Sequence, residues 1–504
     1  MNCGLVGKRG INLRFKKWIG AAAASVLLAM SFSAAPIQAE EERTIADESI
    51  YDVLVDRYFN GSGANDKNVD TQDPTQFAGG DFAGLISRGD HIKEMGYTVL
   101  SVGSVFATEK YDGSSVTSYT ELEPHFGTVE EFSDMIKYFH DKDIKVMVDF
   151  PLTNVSANHE WVQDASKKAW VAGTADGKAQ FALGNADFQG ALKKAIVDFV
   201  STYKVDGIRL TNINGADTAF VNELISAIKE VHKNIYVISN EESDADFDAD
   251  FHADIAALFS ESYKNVDLSS SEVTKYVQGI TEGNIKPSQL MIDSIWTDRF
   301  TYAVMSDEGN HYPPNRLPLA YAASLLMPGV PVTQYGTEIG MNGKVGPESH
   351  QLYNFKTDEE LIDFIKNLQT LRNDSATLRH GKFEVLKNED GFLVFKRQSE
   401  KESWIVVLNN TSITNRIDLS TDVIGEGKEL RGMFENDIIR VNKEGNYPVI
   451  LDRESIEVYQ VIDETGINMS YVITLAIVYI LFTIFVVMVV KRGRKRRAAQ
   501  DMKK

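Results

Sequence analysis

The feature that most constrains the fold is an alternation of short apolar segments with amphipathic helical segments, which runs from residue 49 to residue 340. Such alternation is typical of a parallel sheet covered by helices, because parallel strands need a crossover connection. The predicted strands are residues 50–59, 98–106, 144–150, 205–210, 234–239 and 330–336, with two weaker ones near Ile255 and Ala303. Eight such units predict a closed (β/α)8 TIM barrel.

The segment at residues 205–216, with the sequence VDGIRLTNINGA, turns from apolar to polar at its end. Val205, Ile208 and Leu210 predict a buried strand, and Arg209 and Thr211 lie near its carboxyl end. Barrels of this kind carry their chemistry at the carboxyl ends of the strands. Arg209 and Thr211 are therefore candidate functional residues.

Several stretches carry a resemblance to one enzyme family. They are FAGGDFAGL at residues 77–85, PHFGTVEEF at residues 124–132, DGIRLT at residues 206–211, and the stretch from LPLAYAASLL to TEIGMNG at residues 317–343. Together they resemble the α-amylase family, glycoside hydrolase family 13. The resemblance implies a barrel fold and a cleft that binds sugars.

The same resemblance implies that the catalytic positions are altered. The family's nucleophilic Asp on the fourth strand corresponds to Thr211, and its proton-donating Glu on the fifth strand corresponds to Asn240 in an alignment without gaps. A slip of one residue would place Glu241 there instead. The family's Asn-His-Asp on the seventh strand is matched to residues 306–308, which leaves Glu308 as a carboxylate.

Two charged residues of the pattern are retained, Asp149 on the third strand and Arg209 on the fourth. The resemblance implies that they bind substrate, although a buried Arg would need a counter-charge in any barrel. Near the second strand, residues 111–114 lack the family's sugar-binding His and Tyr. Losses at several strand ends favour a non-hydrolytic protein, while Glu241 or Glu308 beside Asp149 leaves weak activity open.

A loop of short oxygen-bearing side chains and glycines begins at residue 60, with the sequence NGSGANDKNVD. Side-chain and carbonyl oxygens at this density suit a hard cation. The loop resembles the first calcium loop of the family, which implies one calcium site. Its implied ligands are Asn60, Ser62, Asn65, Asp66, the carbonyl of Gly79, and Asp81. A solvated turn is the alternative.

Both ends of the chain predict a relation to a membrane. Residues 1–39 combine basic residues, an apolar run and a small-residue end, which predicts a secretory signal peptide, with an uncleaved anchor as the alternative. Residues 471–490 form an uncharged apolar run long enough to span a bilayer. The basic tail at residues 491–504 predicts a cytoplasmic C-terminus and an extracellular body, in a single-pass protein of the cell membrane.

Between these ends, residues 40–490 carry 39 Lys and Arg against 71 Asp and Glu, a net charge of −32. This charge disfavours nucleic acid as a partner. The single cysteine, Cys3, lies in the predicted signal, so the remainder has neither a disulfide nor a thiolate metal site. The predicted domains are the barrel at residues 40–380, with a short cleft insertion at about residues 154–187, and an antiparallel β-sandwich at residues 381–463.

The predicted function is that of an α-amylase-family surface protein, catalytically degenerate, which binds a glycan or serves as a structural partner. An active α-glucan hydrolase or transglycosylase is the first alternative. A scaffold subunit of a membrane complex, with a protein partner, is the second.

Overall fold

The computed structural model describes residues 43–306, 313–357, 359–466 and 469–501. The predicted signal peptide and Glu308 lie outside these residues. The strands, in chain order, are β1 Ile50–Asp52, β2 Val99–Ser101, β3 Lys145–Pro151, β4 Val155–Ser156, β5 Val171–Ala175, β6 Lys178–Phe181, β7 Gly207–Thr211, β8 Tyr236–Ser239, β9 Gln289–Met291, β10 Val330–Gln334, β11 Lys382–Glu389, β12 Phe392–Gln398, β13 Ser403–Asn409, β14 Asn415–Ser420, β15 Lys428–Gly432, β16 Ile438–Arg440, β17 Asn446–Leu451 and β18 Ser455–Asp463.

Seven of these strands form one parallel sheet in the order β8-β7-β3-β2-β1-β10-β9. A short extended segment around Asp250 lies between the two edge strands. The Asp248 amide donates to the Val237 carbonyl on one side, and the Asp250 amide donates to the Pro287 carbonyl on the other, at 2.9 and 2.7 Å. Asp250 also forms a parallel bridge with Ser288. The sheet therefore curls into the TIM-like barrel that the sequence predicted.

The α-helices that accompany the strands are Val55–Tyr58, Phe82–Ser87, Gly89–Met95, Val129–His140, Glu160–Gln163, Ala186–Tyr203, Thr218–Val231, Ile255–Tyr263, Ser271–Thr281, Phe300–Ser306, Pro313–Leu326, Glu360–Asp374, Ala376–His380, Thr421–Ile424 and Met469–Asp501, with 3-10 turns at Ile45–Asp47, Ala165–Trp170 and Thr337–Ile339. Most of the longer helices around the barrel bury an apolar face. In Val129–His140, for example, Phe132, Met135, Ile136 and Phe139 are buried. Thr128 and Glu131 form a capping box at its start.

Two of the predicted strands are wrong. The segments near Ile255 and Ala303 are helices, Ile255–Tyr263 and Phe300–Ser306. Their β-branched and aromatic residues resembled strands in composition, but they pack on one helical face. The seventh barrel strand is instead β9, which has three residues, too few for a period to be read.

After β3 the chain forms a small three-stranded sheet in the order β4-β6-β5, at the place where the cleft insertion was predicted. The Thr153 hydroxyl accepts a hydrogen bond from the Phe181 amide at 2.6 Å and so ties this sheet to the end of β3. The outer strand β5 is largely exposed. The insertion thus forms one wall beside the carboxyl end of the barrel.

The C-terminal region is antiparallel, as predicted. Six strands form a sheet in the order β11-β12-β13-β18-β15-β16, and β14 pairs with β17 in a second sheet. Buried apolar residues between the sheets, such as Val394, Val407 and Val449, form a separate core. Arg316 of the barrel donates to Asn410 and Glu454 of this region, which fastens the two parts together.

The last described element is the helix Met469–Asp501. Its segment Val472–Ala498 is long and apolar enough to cross a membrane by length and composition. The large apolar side chains between Val472 and Val490 are exposed.

Candidate functional site at the carboxyl end of the barrel

A cavity of about 300 Å3 opens at the carboxyl ends of the barrel strands. Side chains from β1, β3, β7 and the loops after β2, β8 and β9 line it. The polar and aromatic residues that line it are Asp52, Ser104, Tyr111, Asp112, Ser114, Phe126, Asp149, Asn154, Arg209, Thr211, Asn212, Asn240, Trp296 and Gln334. This position is where barrels of this class carry their sites.

Arg209 forms the charged floor of the cavity. Arg209 lies on β7, directly opposite Asp149 on the neighbouring strand β3. Its Nε and Nη2 donate to the two Asp149 oxygens at 2.7 and 2.8 Å, and its Nη1 and Nη2 donate to Asp52 at 2.9 and 3.2 Å. Burial alone would lower the pKa of Arg209, but the two carboxylates overcome this and raise it above its ordinary value. The carboxylates of Asp52 and Asp149 are therefore both paired with the Arg209 guanidinium.

Thr211 and Asn240 lie at the ends of adjacent strands, β7 and β8. Leu210 pairs with Ser239 across these strands, so the residue after each faces the same region. Both Thr211 and Asn240 line the cavity. The Asn240 Oδ1 is buried, and within the described part of the chain it has no hydrogen-bond partner. The two positions matched to the family's nucleophile and acid are therefore close together and uncharged.

Glu241 lies outside the residues that line this cavity. Its Oε2 accepts hydrogen bonds from the amides of Ile213 and Asn214 at 2.8 and 2.9 Å. It lines a different depression, together with Asp250 and Tyr276. Its carboxylate thus holds the turn after β7.

Trp296 is a cavity residue that the sequence reasoning missed. Because β9 is the seventh strand, residues 294–296 occupy the place where the Asn-His-Asp pattern was expected, and their sequence is Ser-Ile-Trp. The earlier match of that pattern to residues 306–308 is therefore wrong: Ser306 ends a helix that follows β9 by eight residues. The signal available was the short apolar run at residues 290–292, which lies between Pro287 and Asp293.

The remaining acid in the described lining is Asp112, in the loop after β2. Its Oδ1 accepts a hydrogen bond from the Ser114 amide at 3.0 Å and so shapes a turn. Tyr111, from the same loop, stacks under the Arg57 guanidinium, whose carbon lies 3.8 Å from the ring centroid. This loop therefore contributes a rigid wall.

The predicted calcium ligands lie together at the start of the barrel. Asp81 caps a helix by accepting from the Gly84 amide at 2.6 Å, and it also accepts from the amides of Gly61 and Ser62, both at 2.9 Å. The Asn65 side chain reaches Asp81 and the His125 carbonyl. Its Oδ1 is buried without a partner in the described residues.

Asn60, Asp66 and Gly79 complete the group. The Asn60 side-chain Nδ2 donates to both Asp66 carboxylate oxygens at 3.0 Å. Gly79 has a φ of 93°, and a Cβ there would lie 2.6 Å from the Asn60 nitrogen. Asp56 holds the loop at Gly79 by accepting hydrogen bonds from the backbone amides of Ala78 and Gly79. Short oxygen-bearing side chains and one orphaned oxygen fit a hard cation.

Comparison with known proteins agrees with this architecture. A model of the alpha amylase catalytic domain matches residues 52–187, and a model of the alpha-amylase C-terminal domain matches residues 381–459. An alpha-amylase structure from Anoxybacillus is 33% identical, with a TM-score of 0.79, over 84% of this chain and 100% of that one. The alpha-amylase of Geobacillus thermoleovorans, solved with acarbose, is 30% identical, with a TM-score of 0.78 and the same coverage.

A curated relative, the Beta/alpha-amylase of Paenibacillus polymyxa, is 25% identical over 450 residues, which are 82% of this chain. The chain spans 38% of that relative's length. Fold and cavity define a TIM-like barrel with a cavity at the carboxyl ends of its strands. With the two domain matches and the two solved structures, the chain belongs to the alpha-amylase family.

The Arg209 cluster generates a stability prediction. Arg209→Met would leave two buried carboxylates without their counter-charge, which costs about 3–5 kcal/mol of unfolding free energy. Arg416→Met is the matched control, because Arg416 pairs with Asp418 at an exposed site, where an ion pair contributes little to stability. Urea unfolding of both variants measures the difference. Equal losses would contradict a supporting role for the cluster.

Proposed function

We propose that this chain is a non-hydrolytic member of the alpha-amylase family that binds an α-glucan at the carboxyl end of its barrel. A retaining glycosidase needs two free carboxyls about 5–5.5 Å apart, one as nucleophile and one as acid. Thr211 and Asn240 occupy those two strand ends, and this pair is the observation that carries the proposal. Neither side chain forms a glycosyl ester or donates a catalytic proton in the usual way.

The other acids near the cavity do not replace them. Asp52 and Asp149 are bound to Arg209, and Asp112 holds a turn. The Glu241 carboxylate accepts two backbone amides away from the cavity. The names of the relatives favour an α-glucan as the ligand, since alpha-amylases and the acarbose-bound structure are among them.

Rebuilding the carboxyl pair tests this proposal. Thr211→Asp alone should give no hydrolysis of maltooligosaccharides, because catalytic groups that act as a unit are strongly non-additive. Thr211→Asp with Asn240→Glu should give weak turnover above the parent, measured as released reducing ends. The control is Thr211→Asn with Asn240→Gln, which has similar shape and no charge, and it should stay inactive.

The opposite result has a clear signature. If the parent chain cleaves maltooligosaccharides, and Glu241→Gln abolishes the cleavage while Asn240→Ala does not, the chain is an active hydrolase with a rearranged site.

We also propose that the loop at residues 60–70 binds one calcium ion, held by Asn60, Ser62, Asn65, Asp66, Asp81 and the Gly79 carbonyl. The buried, unpartnered Asn65 oxygen supports this. When bound, the ion would supply charge that fixes the loop against the barrel.

Calcium should raise the melting temperature by a few degrees, since a ligand at 100 times its Kd adds about 2.7 kcal/mol to stability. Asp66→Asn should reduce this rise, while Asp70→Asn should not, because Asp70 is exposed and accepts from the Gln72 amide outside the ligand set. Scanning calorimetry in calcium and in chelator measures both. Equal melting of the parent chain in both conditions would contradict the site.

We further propose that the helix Met469–Asp501 crosses the cell membrane with the barrel outside. Its large apolar residues are exposed on every side of the helix, an arrangement that hydrocarbon would cover. The basic residues that begin at Lys491 favour a cytoplasmic end.

Protease added to intact cells should therefore release a fragment that contains the barrel and leave an epitope placed after residue 504 protected. Cells made permeable with detergent are the control, in which the epitope is digested as well. A protected barrel with a digested epitope on intact cells would reverse the assignment.

A further inference from the structure

The charged side chains at the base of the cavity are hydrogen-bonded to one another, whereas two polar side chains of its wall, in the described part of the chain, are not. Arg209, Asp52 and Asp149 satisfy one another. In contrast, the Asn240 Oδ1 and the Ser104 Oγ are buried and have no partner within the described residues. Unpartnered polar atoms in a cavity wall favour a ligand or water that supplies hydrogen bonds.

Trp296 is a large apolar side chain of this wall with 51% of its surface exposed, whereas Phe126, which also lines the cavity, is 2% exposed. Trp161 and Trp404, in contrast, are 9% and 5% exposed. An exposed indole at the edge of a cavity offers a flat face with high contact area and low entropy cost on binding. Such a face suits the carbon-bound hydrogens of a sugar ring.

The turn that carries Trp296 is fastened to the barrel. The Trp296 amide donates to the Ser294 Oγ at 3.1 Å, and the Ile295 amide donates to the Gln334 Oε1 at 3.1 Å. Gln334 in turn donates to the Asp52 carbonyl at 2.8 Å, and His350 contacts the Ile295 carbonyl at 2.9 Å. The backbone under the indole is thus fixed before a ligand arrives, which lowers the cost of binding.

The charge of the wall restricts the ligand. Its described residues include three carboxylates, Asp52, Asp112 and Asp149, and one guanidinium, Arg209. The net charge is negative, and a volume of about 300 Å3 is at the small end of ligand pockets. An anionic sugar is disfavoured and a neutral one is accepted.

We propose that Trp296 is the specificity-determining residue of this cavity: its indole stacks on the terminal ring of a neutral oligosaccharide, whose hydroxyls pair with Asn240 and Ser104. This inference rests on the proposed glycan-binding function. It adds a stacking platform at the strand end where the family pattern places a carboxylate.

The test is calorimetric titration of the full chain with maltoheptaose, in a detergent without a sugar head group so that the detergent does not compete. Trp296→Ala should weaken binding about tenfold or more, because the stacked face is lost. Trp296→Phe should retain most of the affinity. Ile413→Ala is the control, since it removes a 63% exposed apolar side chain outside the cavity, and it should bind like the parent.

The outcomes separate the two proposals. If the parent binds maltoheptaose and Trp296→Ala binds equally well, the role of Trp296 is wrong while glycan binding stands. If the parent binds no neutral oligosaccharide, the glycan-binding function itself fails. Binding of an oligogalacturonate as tight as that of maltoheptaose would overturn the preference for neutral ligands.

Discussion

The buried guanidinium of Arg209 is the constraint on which the carboxyl end of the barrel depends. It comes from β7 and meets Asp149 on β3 and Asp52 at the end of β1, so three strands share one cluster of charges. A charge taken out of water is tolerated only when it is paired and hydrogen-bonded. The cluster is therefore a requirement of the fold whatever chemistry stands above it. Its persistence does not indicate catalysis.

The ion pairs of Arg209 are separate from the residues at the other strand ends, so those residues can differ while the barrel framework is kept. Thr211, Asn240 and Trp296 project into the cavity and support none of the described ion pairs. A hydroxyl, an amide or an indole at these positions carries no charge, so the ion pairs of the Arg209 cluster do not depend on it. The wall offers hydrogen bonds and a flat apolar face, which supports the proposed binding function.

The sequence predicted most of the fold because long amphipathic helices and apolar strands carry periodic signals. Val129–His140 is an example, and so are the buried strands β3 and β7. The prediction failed at β9, whose three residues have no readable period, and at Phe300–Ser306, whose composition resembles a strand. Because the seventh strand was predicted near Ala303 and not at β9, Trp296 was not recognised as a residue at a strand end. A match of motif to sequence depends on knowing which residue ends the strand.

The fifth strand posed a different difficulty. Asn240 and Glu241 are adjacent, and a strand's faces alternate, so sequence alone left both open. The placement of Glu241 is set by contacts distant in the chain, the amides of Ile213 and Asn214 in the turn after β7. Such contacts have no local sequence signal. They could be predicted only once the pairing of β7 with β8 was known.

The proposed function requires the cavity to hold an oligosaccharide without cleaving it. A crystal structure of the chain after prolonged incubation with maltoheptaose tests this most directly. We expect an unbroken oligosaccharide with one ring against Trp296 and without a covalent bond to Thr211. A shortened sugar in the cavity, or a sugar bonded to a protein side chain, would contradict it.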